Sequence, residues 1–370
     1  MTISEWMDLI FILVIVTIVL QKIVVLVVFH GRFRSAPNIA EEVLPTVSIL
    51  IPARNEAGNL PACLDSLLQL NYPLDKIEIL VGNDQSVDAT ADIVKGYGQQ
   101  FVQIKLVNVQ PQYHGLKARS NVLAQLAKKS SHKLLVFLDA DMTVNFNWLR
   151  EMVAPTKYGY NIVSGYTEVE GSGWLAQFQK VDWMSVIVLL KAGADIYKPG
   201  TALGNNMLVS RKAYDAVGGY EQIGPTFTED NDLTLAAVKK GFLVFQLVVP
   251  GGARTLPMVT WSDLYRQRNR WMQGAFKQPF IRLIPLLLTR VYILFVALAL
   301  VIDPVSAVGV LFLFSWVDLS SFWGMSRKIK RNVPVHIAIF APVFNSLLDT
   351  FTLLTFPWNK GVIWKGRKLK

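Results

Sequence analysis

The sequence has very little cysteine and histidine: one cysteine, Cys63, and four histidines among 370 residues. A single cysteine excludes a disulfide framework, a Cys-x-x-Cys redox pair and a cysteine-rich zinc site. The histidines are scattered without the short spacing of zinc ligands, so no histidine-based metal cluster is expected. Charged residues make up only 17% of the chain and hydrophobic residues 52%, which is too apolar for intrinsic disorder.

Glycine-rich phosphate-binding loops are missing as well. No G-x-G-x-x-G or G-x-x-x-x-G-K-[ST] pattern follows a predicted strand, which disfavours a dinucleotide oxidoreductase and a P-loop ATPase. The chain carries 37 Lys+Arg against 27 Asp+Glu, a net charge of +10. These basic residues lie beside apolar runs and not in an aromatic-interleaved patch, so we predict membrane contact and no nucleic-acid binding.

A long apolar run near the N-terminus predicts a membrane anchor. As a helix, residues 9–29 span about 31 Å, roughly the hydrocarbon thickness of a bilayer. The run is too long, and its N-terminal side too acidic, for a cleaved signal peptide. Lys22 interrupts it and would need a partner or a route to the headgroups. Basic residues follow the run, so we expect the N-terminus outside and the next domain in the cytosol of a bacterial cell.

Further apolar runs lie in the C-terminal quarter, at residues 284–302, 305–325 and 335–356. Residues 280–290 could instead lie flat at the membrane interface, and the number of crossings stays open. Residues 174–191 form a helix that is either a core helix or one at the membrane face beside a lipid-borne substrate. We therefore predict three regions: an anchor over 1–34, a catalytic domain over 35–278, and interfacial and transmembrane helices with a basic tail over 279–370.

Between the apolar ends, strand and helix patterns alternate. Short apolar strands are predicted at 47–51, 77–81, 102–109 and 134–138, with helices around 60–70, 89–97 and 116–128. Continuous apolar strands separated by helices indicate a parallel sheet covered on both faces, and thus an α/β fold. Ligands of such sheets bind beyond the carboxyl ends of the strands.

Acidic side chains follow three of these strands: Glu56, Asp84, and the pair Asp139 and Asp141. Residues two apart on a strand point the same way, so the two carboxylates of this D-x-D can face one site. Mg²⁺ or Mn²⁺ is commonly held by one or two carboxylates together with substrate phosphates. The alternative is a solvated turn, which Asp also favours.

Two further clusters stand out. Glu229 and Asp230 belong to an acid cluster that opens a helix predicted over 233–239. The cluster either caps that helix through Asp232 and complements its dipole, or Asp230 acts as a general base toward a substrate hydroxyl. Gln267, Arg270 and Trp271 lie on a later basic stretch. Arginine can bind a pyrophosphate with two hydrogen bonds, and an indole can stack on a sugar or base. The alternative is a basic helix face near a membrane.

Taken in order, Glu56, Asp84, the D-x-D, the T-E-D that ends at Asp230 and the Q-x-x-R-W resemble the motifs of membrane-embedded family 2 glycosyltransferases. These include cellulose, chitin and hyaluronan synthases and ceramide glucosyltransferase. The resemblance covers about residues 45–275. It implies a GT-A fold and an inverting, metal-dependent transfer from a nucleotide sugar, usually UDP-linked.

The resemblance also implies a role for each matching residue. Its donor-side residues are Glu56 and Asp84 at the uridine, Lys117 near the donor, Asp139 at the nucleotide and metal, Asp141 at the metal, and Gln267 and Arg270 at the pyrophosphate. Asp230 would be the catalytic base, with Asn205, Glu229 and Trp271 on the acceptor side. The implied cofactor is Mg²⁺ or Mn²⁺.

We therefore expect a glycosyltransferase that acts on a lipid-linked or membrane-lipid acceptor. Few membrane segments are predicted, which favours a lipid acceptor over the alternative of a processive polysaccharide synthase. A nucleotidyltransferase would share the metal acids but release pyrophosphate. A nucleotide-binding membrane transporter or scaffold remains the alternative of another class, and it would not need Asp230.

Overall fold

The computed structural model describes residues 3–38, 44–197, 199–226, 228–276, 292–302, 304–356, 362–364 and 367–369. The chain divides into two compact units. The helical unit consists of Met1–Phe33, Gly171–Ala192 and Pro257–Val362, and the α/β unit of Arg34–Glu170, Gly193–Leu256 and Ile363–Lys370. The predicted boundaries at 34 and 278 stay a prediction.

The α/β unit is built on a seven-stranded sheet. In chain order, its strands are Val47–Ala53 (β1), Ile77–Asn83 (β2), Ile104–Asn108 (β3), Leu134–Leu138 (β4), Tyr160–Gly165 (β6), Asn206–Ser210 (β8) and Leu243–Leu247 (β9). Their order across the sheet is β3-β2-β1-β4-β8-β6-β9. Within the described residues of this sheet, β8 pairs antiparallel with both of its neighbours and the other neighbouring strands pair parallel. The predicted, mostly parallel α/β sheet is therefore confirmed.

Shorter strands and helices complete this unit. Met142–Val144 (β5), Thr167–Val169 (β7) and Ala253–Thr255 (β10) form a second sheet, and Val362–Trp364 (β11) pairs with Arg367–Leu369 (β12). The helices are Leu60–Leu68 (α2), Thr90–Gln100 (α3), Ala118–Lys129 (α4), Trp148–Val153 (α5), Arg211–Ala216 (α7), Gly219–Ile223 (α8) and Glu229–Lys239 (α9). Three 3₁₀ turns lie at Leu74–Lys76, Tyr113–Gly115 and Ala154–Tyr158.

The two faces of the sheet bury two separate apolar clusters. Along β1, Ile49 and Ile51 belong to one cluster and Leu50, between them, to the other. This alternation follows from the two-residue period of a strand. Helix α4 packs closely on one face, because a Cβ at Gly82 would lie 2.4 Å from Val122 Cγ1. That close approach brings the start of α4 to the carboxyl edge of the sheet.

The helical unit contains Ile3–Gly31 (α1), most of Trp174–Asp195 (α6), Trp261–Ala275 (α10), Tyr292–Ile302 (α11), Pro304–Ile329 (α12) and Val335–Thr355 (α13). Among the described residues, three helices are long and apolar enough to cross a membrane: Ile12–Gly31, Ala307–Ile329 and Val335–Thr355. Three predicted apolar runs are thereby confirmed as helices. The interfacial segment predicted over 280–290 lies outside the described residues.

Candidate active site

The first part of the site lies where β1 and β2 end. Glu56 is buried and its Oε2 accepts a hydrogen bond from Asn59 Nδ2 at 2.9 Å. Its backbone N–H donates to Thr90 Oγ1 at 2.9 Å, which ties the loop after β1 to the start of α3. Asp84 is 1% exposed and its backbone N–H donates to Ala53 O. The two predicted acids therefore lie on neighbouring loops at one edge of the sheet.

The D-x-D follows β4 directly. Asp139 and Asp141 are both half-buried, while Ala140 between them is buried. The nearby Cys63 thiol is fully buried, and its Sγ lies 3.9 Å from the backbone oxygen of Asp139. Burial raises the pKa of this thiol, and the negative charges of Asp141, Asp139 and Glu56 raise it further. Three predicted acids are thus close enough to act on one side chain.

The T-E-D forms the start of α9. Asp230 is half-buried, and each of its carboxylate oxygens accepts a backbone hydrogen bond: Oδ1 from Asn231 N–H and Oδ2 from Gly204 N–H, both at 2.8 Å. Burial, followed by the charge of Glu229, raises the pKa of Asp230 to about 6, although Arg119 and these hydrogen bonds lower it. A carboxylate with a pKa near neutrality is suited to general-base work.

One arginine connects these acids. Arg119, in the first turn of α4, donates from Nε to Asp139 Oδ1 at 2.8 Å and from Nη1 to Glu229 Oε1 at 2.7 Å. Its Nη2 donates to the backbone oxygen of Gly204 at 2.7 Å. The side chain is 9% exposed, and the two carboxylates raise its pKa against the effect of burial. The D-x-D, the T-E-D and the loop before β8 therefore form one charge network.

The loop before β8 fits this network only with a glycine. A Cβ added at Gly204 would lie 2.8 Å from Asp230 Cβ and Oδ2 and 3.1 Å from Arg119 Nη1. The backbone amide can approach the carboxylate because there is no side chain in between. Asn205, the next residue, is half-buried, and its backbone oxygen accepts a hydrogen bond from Asp139 N–H at 3.3 Å.

Arg119 is the residue that sequence reasoning missed. It lies two residues after Lys117, the predicted donor-side lysine, and two residues before Asn121. Lys117 is exposed just before α4. Asn121 is buried, and it bonds the backbone at Gln110 and Tyr113, so it shapes the preceding loop. The sequence signal that could have identified Arg119 is its position at the start of a predicted helix, next to the carboxyl ends of the predicted parallel strands.

The Q-x-x-R-W lies on α10, in the helical unit. Gln267, Arg270 and Trp271 are half-buried. The buried cation is Arg268, which pairs with Asp182 Oδ2 at 2.5 Å and lies 3.9 Å from Asp349 Oδ1.

The ring of Trp271 contacts side chains of the same unit. It lies against the guanidinium of Arg268 at 4.9 Å and against Trp183 at 6.1 Å. The structure thus gives α10 a packing role within the helical unit, and the predicted contacts of Gln267, Arg270 and Trp271 with substrate stay a prediction.

The donor set of the D-x-D fits a divalent cation. Carboxylate oxygens are the ligands that Mg²⁺ and Mn²⁺ prefer. Asp139 Oδ1 is engaged by Arg119, so Asp139 Oδ2 and the carboxylate of Asp141 are the oxygens suited to a cation. The described residues contain no cluster of three or more His, Cys, Asp or Glu that could hold a metal. A cation here would therefore take its remaining ligands from substrate phosphates and water.

Comparison with known families and structures identifies the family and the fold. The family model described as Glycosyl transferase family 21 matches residues 9–370. The structure is similar to the mannosyltransferase PcManGT from Pyrobaculum calidifontis, solved in complex with GDP-Man and Mn²⁺, with a TM-score of 0.56 at 15% identity over 94% of this chain and 99% of that one. This likeness confirms the GT-A fold expected from the motifs.

Three curated relatives are named as a glycosyltransferase, a glycolipid synthase and a polysaccharide synthase. The probable glycosyltransferase YdaM of Bacillus subtilis is 28% identical over 65% of this chain and 58% of its own length. The β-monoglucosyldiacylglycerol synthase of Synechocystis is 28% identical over 63% and 48%. The poly-β-1,6-N-acetyl-D-glucosamine synthase of Staphylococcus epidermidis is 26% identical over 62% and 54%. The chain thus spans about half the length of these relatives.

Proposed function

Since the chain belongs to glycosyl transferase family 21, we propose that it is a membrane enzyme that transfers a sugar from a nucleotide sugar to a hydroxyl group of a membrane lipid. The single observation that carries this function is the network in which Arg119 joins Asp139 to Glu229 and to the loop that bonds Asp230. It unites the acids expected at the donor with the acid expected at the acceptor.

The donor side consists of the loops at the carboxyl ends of β1, β2 and β4. Buried carboxylates such as Glu56 and Asp84 can accept hydrogen bonds from the base and ribose of a nucleotide, and we propose UDP as that nucleotide. Lys117 is an exposed cation suited to the diphosphate. The motif assigns Gln267 and Arg270 to the same diphosphate and Trp271 to the sugar or acceptor.

The chemistry requires one base and a stabilised leaving group. Asp230 accepts the proton of the acceptor hydroxyl, whose oxygen attacks the anomeric carbon as the bond to the diphosphate breaks, with inversion at that carbon. Both carboxylate oxygens of Asp230 are fixed by backbone N–H groups, so the carboxylate is oriented before the acceptor binds. A divalent cation at Asp139 and Asp141 would neutralise the charge that grows on the leaving diphosphate.

A lipid acceptor is supported by the helices and by the names of relatives. Three candidate membrane spans lie among the described residues, and we take this small number as favouring a lipid acceptor over a polymer channel. A β-monoglucosyldiacylglycerol synthase is among the relatives. A processive synthase is the second candidate, because a poly-β-1,6-N-acetyl-D-glucosamine synthase is another relative. We place the enzyme in a bacterial cell membrane with the α/β unit in the cytosol, as the basic residues after α1 predict.

The test uses membranes that carry the full chain, labelled nucleotide sugars and Mn²⁺ or Mg²⁺, with Asp230→Asn beside the wild type. Label in the organic phase that depends on Asp230 supports the lipid transfer and identifies the donor. Label in a large polymer supports the synthase instead. If Asp230→Asn retains full transfer, the base assigned here is wrong. If none of the labelled nucleotide sugars supports transfer, the transporter or scaffold is favoured.

A further inference from the structure

A cavity lined by both polar and apolar side chains lies within the helical unit. It has a volume of about 120 Å³ and is lined by residues of α1, α6, α11, α12 and α13. Its lining includes charged and amide side chains: Lys22, Asp182, Asp318 and Asn345. Lys22, Asp318 and Asn345 belong to the three candidate membrane spans. Ionisable groups at membrane depth are costly, and they usually mark a functional site.

The charges that line the cavity are paired. Lys22 Nζ donates to both carboxylate oxygens of Asp318, at 2.5 and 2.6 Å, and it lies 5.0 Å from the centre of the Tyr292 ring. Asp182 pairs with the buried Arg268. Asp318 is thus the partner that Lys22 was expected to need. The two ion pairs leave the cavity without strong net charge. An anionic headgroup would meet two carboxylates here and no unpaired lining cation among the described residues.

The cavity also presents polar atoms that need a partner. Among the described residues, Asn345 Oδ1 and the Tyr292 hydroxyl are buried without a hydrogen bond, in side chains 7% and 2% exposed. Ser185 and Ser321 donate to carbonyls of their own helices, which leaves only their lone pairs for a ligand. Buried polar groups in native proteins are nearly always satisfied. The unmatched groups are mainly acceptors, so the fitting ligand is a hydrogen-bond donor such as an alcohol.

We propose that this cavity binds the hydroxyl-bearing headgroup of a neutral membrane lipid. This deepens the proposed function and rests on it, because the lipid belongs to the class assigned as acceptor. While the lipid is bound in the cavity, its hydroxyl donates to Asn345 Oδ1 and accepts from the Tyr292 hydroxyl, and it must leave these partners before it can give its proton to Asp230. The acyl chains of the lipid extend along the apolar helix surfaces. Asp182 lines the cavity and also holds Arg268, so the cavity wall and the helix that carries the Q-x-x-R-W share one buried ion pair.

The binding test uses the purified full chain and dioctanoylglycerol as probe, in a form that carries a diazirine for photocrosslinking. Asn345→Leu removes the unpaired acceptor at similar volume. We expect it to weaken probe binding about five-fold or more, as the loss of a buried hydrogen bond implies. The matched control is Thr350→Val on the same helix: its hydroxyl is also buried and unpartnered, but it is not part of the cavity lining. We expect that variant to bind within about two-fold of wild type.

The outcomes separate this proposal from the proposed function. Crosslinks on α1, α6, α12 or α13 that Asn345→Leu suppresses support the cavity, and Asp230→Asn should bind the probe like wild type while transfer is lost. If the probe binds as expected but no sugar is transferred, the proposed function fails and the lipid site stands. Unchanged binding by Asn345→Leu overturns the site. Equal competition by dioctanoyl phosphatidic acid overturns the assignment to a neutral lipid.

Discussion

Replacing Arg119 should reveal how far the charge network controls the base. Two of its hydrogen bonds reach carboxylates, at about 1.5 to 3 kcal/mol each, and the third reaches a neutral carbonyl, at about 1 kcal/mol. Breaking one partner out of a buried ion pair costs about 3 to 5 kcal/mol. We therefore expect Arg119→Met to lower the free energy of unfolding by about 4 kcal/mol. Arg119→Lys keeps the charge and should be the milder variant.

The more specific effect concerns the pKa of Asp230. The positive charge of Arg119 lowers this pKa, which burial and Glu229 hold at about 6. Removing the charge therefore raises the pKa above 6. Because the base must be ionised, the acidic limb of the kcat/KM profile should move to higher pH, and each pH unit of movement corresponds to about 1.4 kcal/mol. Activity falls most below neutrality and recovers partly in alkaline buffer.

The assay is kcat/KM for sugar transfer between pH 5 and 9, with unfolding measured in parallel. Arg211→Met is the matched control, because Arg211 also donates several hydrogen bonds, to Ala127, Ser130 and His132, away from the acids. We expect it to lose stability while its acidic limb stays in place. An Arg119→Met enzyme that folds, transfers sugar and keeps the wild-type acidic limb would refute the proposed control of Asp230.

Three further predictions concern the loop before β8, the cation and α10. Gly204→Ala should lower transfer by about ten-fold or more, since its Cβ would collide with the base Asp230. The control Gly96→Ala, whose Cβ meets nothing within 4 Å, should leave transfer unchanged. Equal steady-state kinetics for the two variants would contradict the prediction. EDTA should abolish transfer, and Asp141→Asn should raise the Mn²⁺ concentration needed to restore it, as a Mn²⁺ titration would measure; full transfer in EDTA would contradict the cation site. Arg268→Leu should destabilise the protein by about 3 to 5 kcal/mol, because it breaks the buried pair with Asp182. The control, Arg266→Ala at an exposed position, should change stability by less than about 0.5 kcal/mol. Equal thermal unfolding of the two variants in detergent would argue against a buried pair.

The strands and the acids at their ends were predictable because their signals are local. The apolar run at 134–138 coincides with β4, and the run at 77–81 lies within β2, since a buried parallel strand must be apolar throughout. The D-x-D follows β4 directly, as predicted. The helix predicted over 233–239 begins earlier in the structure, at Glu229, because the acids before residue 233 form its first turn.

Partners distant in the sequence could not be predicted in this way. Arg119 and Glu229 are 110 residues apart, and they meet because α4 packs on the sheet at Gly82 and the antiparallel β8 brings the Gly204 loop beside β4. Lys22 and Asp318 are 296 residues apart, so the sequence indicated only that Lys22 needed a partner.

The sequence by itself determined the fold class, the candidate membrane helices and the position of the acids at the strand ends, because hydrophobic period and strand-end position are properties of neighbouring residues. Only the tertiary structure decided that Arg119 is the cation that pairs with Asp139 and Glu229, and that the pKa of Asp230 is raised to about 6. It also decided that Arg268, one residue beyond Gln267, is the arginine buried among carboxylates on α10. Burial and charge proximity arise from packing between distant segments, and they set both a pKa and the choice of an ion-pair partner.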